Sequence, residues 1–288
     1  SLNQKDRLLG SIINSAIDVD KLDYLARDSR HMGVPYGRMP DRERLISSLT
    51  VNGAGDHIAL TEKGRVSGEM FMFSRYLMFS EAYWHHTVRS ASAMIEAALG
   101  DHVARTEPSR EVLLGFLLHG SDDDLLKMIA GSEKGTAAAQ LTRGFLGARG
   151  LYKRVLVLSR QHPESRDGRA YDTLYGLSRT QHEEMSREMR DRLAPLVGRA
   201  LAKHELLIDS PPRDKDKLES VEVVFASGRR ELLGSLSRVV GGIQNDFIKV
   251  VKRIRVFVAP EIREVLSDSH HSDLQIREHL IDCVLGAS

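Results

Sequence analysis

The stretch IDVDKLDYLARDS, residues 17–29, concentrates side chains that could do chemistry. Read as a helix, it repeats Asp20, Tyr24 and Asp28 every four residues on one face, with Lys21 beside them. A carboxylate, an ammonium, a phenol and a second carboxylate then converge on one side, while Leu22 and Leu25 turn toward a core. A solvated charged face of an amphipathic helix would show the same pattern, and spacing alone leaves both readings open. Arg75, Phe79 and Tyr83 also recur every four residues, on the face opposite an apolar stripe. His85 and His86 follow, a pair that spacing alone assigns to the surface.

Helices must hold these residues. Residues 4–32 read as helix, with Leu8, Leu9, Ile12, Ile13 and Ala16 opening a stripe and Asp18 as N-cap of a second segment that Gly33 and Pro35 end. Residues 45–51 and 57–60 flank Asn52-Gly53-Ala54-Gly55 and predict a β-hairpin. A long helix is predicted over 61–99, because Val66, Met70, Phe73, Leu77, Trp84, Val88, Ile95 and Leu99 keep helical spacing with a gap near Ser80. Shorter helices follow at 108–119, 122–131 and 133–147. The pattern changes at Leu151: strands are expected at 151–158, 205–209, 221–225 and 254–258, with helices at 167–192, 194–204, 230–251 and 272–285 and a loop over 210–217. The expected fold is mostly α: an incomplete helical domain with a β-hairpin (1–150) and a small C-terminal α+β module (151–288).

Composition excludes little. The 288 residues are 41% hydrophobic and 28% charged, with a formal net charge of +1, an ordinary soluble composition that is neutral on nucleic-acid binding. One cysteine, Cys283, rules out a disulfide within the chain and fits a reducing compartment, so the cytoplasm is the expected location. No signal peptide or membrane-spanning run is read, and no membrane partner is expected.

DVDKLDYLARD resembles, almost letter for letter, a signature of HD-superfamily triphosphohydrolases, which include bacterial HD phosphohydrolases and the SAM- and HD-domain dNTP triphosphohydrolases. The continuation from Gly33 to Ile46 is similar to the same family. The resemblance implies an HD-type helical domain, Asp20 as the fourth ligand of a divalent metal, Lys21 and Tyr24 on nucleotide phosphates, and Asp28 on the sugar. It also implies Arg75 on phosphate, Tyr83 on sugar, and His85 near base and sugar. Where the family's mammalian members place a histidine, this chain has Phe79, which can neither donate a proton nor a hydrogen bond. LYKRVLVL from Leu151 and LIDSPP from Leu207 resemble C-terminal segments of bacterial members. Carboxylate with imidazole suits Mn, Fe, Mg or Zn, a metal that would activate water and polarise a phosphoryl oxygen. Homo-oligomers are implied as well.

The family's His and His-Asp ligands lie upstream of this helix, and no histidine precedes Asp20 here. The expectation is therefore that the complete protein holds the metal and this chain does not hold it tightly. Truncation or proteolysis is the first explanation, supported by Ser1 at the start; a degenerate nucleotide- or nucleic-acid-binding regulatory module and completion by another polypeptide are the others. The parent would hydrolyse (deoxy)nucleoside triphosphates, or another phosphoester. Among weaker signals, Asp122-Asp123-Asp124 after Ser121 reads as a helix cap and 269–273 as a loop and cap. Lys153-Arg154, Arg229-Arg230 and the basic run 249–255 read as solvated faces, with a phosphate or nucleic-acid surface as the alternative.

Overall fold

The computed structural model describes residues 3–107, 110–131, 133–161, 165–211, 221–269 and 272–286. Most of the loop expected at 210–217 and the pair His270-His271 lie outside them. The chain opens with α1 (Gln4–Ile13) and α2 (Val19–His31), capped by Asp18 as the sequence predicts. Next comes α3 (Arg42–Ser47), where the first hairpin arm was expected to start; a short apolar run such as Leu45-Ile46 does not separate helix from strand. The hairpin itself forms between β1 (Leu49–Val51) and β2 (Ile58–Thr61), with Leu49 opposite Leu60 and Val51 opposite Ile58. Asn52 closes it, its Oδ1 accepting from the backbone of Asp56 and His57.

The single helix expected over 61–99 is interrupted. Helix α4 (Arg65–Leu77) passes into a π-helical segment, Met78–Tyr83, and α5 (His86–Thr106) starts after Trp84 and His85. The apolar stripe also misidentifies the buried face of α4. Val66 and Phe73 are 62% and 46% exposed, whereas Ser67, Gly68, Phe71, Met72, Ser74 and Arg75 are buried. Close approach explains this: a Cβ on Gly68 would stand 2.6 Å from the Leu60 side chain, so β2 packs against the small-residue face.

Helices α6 (Arg110–His119), α7 (Asp122–Ala130) and α8 (Ala137–Leu146) follow, and Ser121 and Asp124 form the expected capping box of α7. Then come β3 (Lys153–Leu158), α9 (Arg169–Gly176) and α10 (Arg179–Val197). Gly198, at φ +77°, ends α10 after Val197, so the separate helix expected over 194–204 does not form and its first four residues belong to α10. Strands β4 (Leu206–Asp209) and β5 (Glu222–Val224) precede β6 (Arg230–Leu232), which occupies the start of the helix expected at 230. A turn with Gly228 at φ +82° folds β6 onto β5. Helices α11 (Leu233–Leu236) and α12 (Arg238–Asp246) lead into a second π segment, Phe247–Val251, then β7 (Ile254–Val258), α13 (Pro260–Asp268), which the sequence reading lacks, and α14 (Asp273–Leu285).

Two compact units result: residues 1–85 with 212–252, and residues 86–211 with 253–288. They do not follow the composition change at Leu151. In the first, the hairpin is extended by β5 and β6 in the order β1-β2-β5-β6, with β2 and β5 parallel. Strand 222–224 therefore joins the hairpin rather than the later strands. Its core gathers Leu25, Leu45, Leu60, Phe71, Met72, Met78, Val223 and Phe247. The second unit carries an antiparallel sheet, β3-β7-β4, whose central strand is buried along its length. The expected mostly α fold is the one observed. Among the described residues no helix is long and apolar enough to cross a membrane.

Candidate functional site

Helix α2 is fixed at its start by a buried carboxylate. Asp18 is 3% exposed. Its Oδ1 accepts from the backbone N–H of Lys21 at 2.7 Å, and its Oδ2 from Ser15 N–H at 3.1 Å and from Lys21 Nζ at 2.5 Å. One residue thus caps the helix and anchors the Lys21 ammonium. At the other end, the Ser29 hydroxyl donates to the Val34 carbonyl, and the following loop lies so close that a Cβ on Gly37 would meet the Leu25 carbonyl oxygen at 2.0 Å.

Arg75 reaches α2 from α4. It is 7% exposed and donates to the Ala16 carbonyl at 3.3 Å, and its charge acts on the Tyr24 phenol. Its Nε is buried without an acceptor, and among the described residues it forms no ion pair. A buried guanidinium in that state is a site prepared for an anion, because an unmet charged donor is costly in a low-dielectric surrounding.

The π segment presents the ring of Tyr83 to the same helix. Tyr83 packs edge-on to Tyr24, centroids 6.0 Å apart, and donates its hydroxyl to Asp28 Oδ2 at 2.9 Å. Phe79 packs on Tyr83 at 5.3 Å and on Phe247 at 5.4 Å, so it acts as a spacer between the site and the core. Burial pushes the Tyr83 phenol well above the ordinary tyrosine range, and the Asp28 carboxylate pushes it further. Burial raises Tyr24 too, with Arg75 opposing. Both phenols are therefore neutral donors at ordinary pH.

Tyr24, Asp28, Arg75 and Tyr83 thus form one connected group within the first unit, and Lys21 is joined to it only through Asp18, whose charge acts on Tyr24. Asp20 is exposed in the first turn of α2, close enough for its charge to act on Tyr24. His85 is exposed just past the π segment. Sequence reasoning missed two participants. Asp18 entered only as a cap, yet Lys21 beside it signals an ion pair. Arg27 is the other, its Nε 3.6 Å from Asp28 and its NH1 2.5 Å from Asp23.

The described residues do not make a metal centre. Among the described residues no three His, Cys, Asp or Glu side chains come together. Asp18 is committed to Lys21 and Asp28 to Tyr83, which leaves Asp20 as a lone carboxylate. A divalent transition metal needs three or four such ligands.

The family described as HD associated region matches residues 40–280. An uncharacterized protein of Methanocaldococcus jannaschii is 40% identical over 101 residues, which make 34% of this chain and 22% of that protein. The uncharacterized protein YwfO of Bacillus subtilis is 36% identical over 95 residues, 33% of this chain and 21% of its own length. A mimivirus protein (Acanthamoeba polyphaga mimivirus) whose name describes it as HD domain-containing is 33% identical over 82 residues, 28% of this chain and 17% of that one. The chain thus matches about a fifth of the length of these curated relatives. A hypothetical protein from Aquifex aeolicus has the same fold, with a TM-score of 0.65 at 20% identity over 92% of this chain and 61% of that chain. So does a phosphohydrolase from Bacteroides thetaiotaomicron, with a TM-score of 0.57 at 19% identity over 88% and 63%.

Proposed function

This chain belongs to the HD-associated-region family of HD-type phosphohydrolases, and from that premise we propose that its α2–α4 site holds the substrate of a phosphohydrolase acting on (deoxy)nucleoside triphosphates. The observation that carries this reading is the buried Arg75 guanidinium with its Nε unmatched. A phosphate oxygen would supply the missing acceptor and the opposite charge together. Lys21, kept in place by Asp18, adds a second cation on the adjoining turn. Tyr24 offers a neutral O–H group, and the Asp28 carboxylate that accepts from Tyr83 keeps lone pairs suited to a sugar hydroxyl.

These side chains bind and neutralise a phosphate chain; activation of the attacking water is assigned to none of them. The divalent metal expected of the family has no ligand set among the described residues, and no step is derived through it.

Calorimetric titration of dATP and of tripolyphosphate into the wild-type chain and Arg75→Met tests the reading. One charge-assisted hydrogen bond contributes roughly 1.5–3 kcal/mol, so affinity should fall about 10- to 150-fold. The methionine also removes a buried charge that no carboxylate balances, so thermal stability should hardly change. Unchanged affinity in Arg75→Met refutes the assignment.

A further inference from the structure

The second unit contains a cleft of about 1020 Å³ between α5, α10 and β4, made wholly of residues from that unit. Its two helical walls differ in chemistry. Helix α5 offers Ala93, Ala97, Gly100 and Ala104, spaced four, three and four apart on one face. A Cβ on Gly100 would meet nothing within 4 Å, so the small residues leave space that nothing else fills. Helix α10 offers Arg179, His182, Ser186 and Arg190, spaced three, four and four apart on the facing side.

Most charges in the cleft are already matched. Arg105 pairs with Asp101 at 3.0 Å, Lys203 with Glu183 at 3.5 Å, and Asp209 with Arg89 at 2.5 Å. Arg179, Arg190 and Glu96 differ: among the described residues none of the three forms an ion pair, which leaves two cations against one carboxylate. Arg190 is half-buried and donates through NH1 to the Ser186 hydroxyl at 2.8 Å. Half-burying a guanidinium beside a neutral hydroxyl leaves its charge without a counter-ion, and desolvation lowers the Arg190 pKa. The two arginines lie eleven residues apart, about 16 Å along a helix, so a single inorganic ion does not span both. An elongated ligand does, and about 1000 Å³ is the upper range of small-molecule pockets.

We infer that this cleft binds a nucleotide-sized organic phosphate, with its phosphate on Arg190 and Ser186, its planar body along the small-residue wall of α5, and its far end at Arg179 and His182. This site is separate from the α2–α4 site and does not depend on the function proposed there.

The test is calorimetric titration of AMP, and separately of inorganic phosphate, into the chain carrying Arg75→Met, which weakens the first site. AMP should bind with a stoichiometry of one. Arg190→Met should weaken AMP and inorganic phosphate alike by tenfold or more. Ala97→Phe, which fills the planar slot, should weaken AMP by tenfold or more and leave inorganic phosphate unchanged. Circular dichroism melts of each variant verify the fold, and Arg179→Met stands in if Ala97→Phe does not fold. Absence of AMP binding in the Arg75→Met chain overturns the proposal. So does AMP binding that is indifferent to Arg190→Met.

Discussion

Replacing Asp18 by alanine and by asparagine separates its two jobs. Alanine removes acceptors for two backbone N–H groups, at 2.7 and 3.1 Å, and for the Lys21 ammonium at 2.5 Å. Losing an N-cap costs about 1 kcal/mol, and the abandoned Ser15 N–H adds roughly 1 kcal/mol. The ammonium loses its partner while its side chain is 17% exposed. It can still reach water, so about 1–2 kcal/mol applies rather than the 3–5 kcal/mol of a fully buried broken pair. The sum is roughly 3–4 kcal/mol for Asp18→Ala. Asparagine keeps a carbonyl oxygen for the cap and gives up the charge, so about 1–2 kcal/mol is expected. Urea unfolding followed by the single tryptophan measures this directly, because Trp84 belongs to the core of the first unit. Equal losses for the two variants would show that the cap contributes nothing. Losses below about 0.5 kcal/mol for both, the range of an ordinary surface change, would refute the anchoring role.

Tyr83→Phe deletes the hydroxyl donated to Asp28 and should cost about 1 kcal/mol by urea unfolding at neutral pH. The same phenol has a folded pKa raised above its unfolded value near 10, so the stability it contributes is present below pH 10 and lost as pH rises beyond; an alkaline melt should be less steep in Tyr83→Phe. In acid the sign reverses for Glu205, whose carboxyl is held below the usual range chiefly by Arg199. Its contribution is present above the unfolded pKa near 4.3 and disappears as pH falls through the folded value, and Glu205→Gln should flatten stability between pH 5 and 3. Asp209→Ala should destabilise the second unit by about 1.5–3 kcal/mol in a calorimetric melt, because it removes two charge-assisted hydrogen bonds to Arg89, whose side chain is 19% exposed and still reaches water.

What the sequence shows and what it hides divide along the range of the interactions. The caps Asp18, Ser121 and Ser272, the stop after α2 and the Asn52 turn are decided within a few residues, and all stand where their residue types indicate. Strands β3, β4 and β7 are legible from their short apolar runs. The π segment carries no proline or glycine, yet the slip in periodicity near Ser80 falls inside it. The inverted face of α4 is a packing result: Gly68 and Ser67 are buried because β2 approaches, and hydrophobicity counts ignore small residues at close contacts. The pairing of β5 with β2 joins Val223 to Leu60 and has no local signature at all. In the site, helical spacing places Asp20, Tyr24 and Asp28 on α2 and Arg75 and Tyr83 ahead of α5. The support from Phe247, behind Phe79, lies too far along the chain for any spacing argument to reach.

The interleaving of the two units has a kinetic consequence. The first unit needs residues 212–252 before its sheet can close, and the ribosome delivers them only after the whole middle of the second unit. Until then β2 is an edge strand with an unpaired side, and Phe79 lacks the ring it rests on. Joining Leu60 to Val223 closes a loop of about 160 residues, whose entropy grows slowly with length, so delay rather than equilibrium cost is the burden. The α2–α4 group is therefore among the last parts of the protein to be completed during synthesis, and a nascent chain stalled before residue 222 would carry every side chain of that group without the scaffold that aligns them.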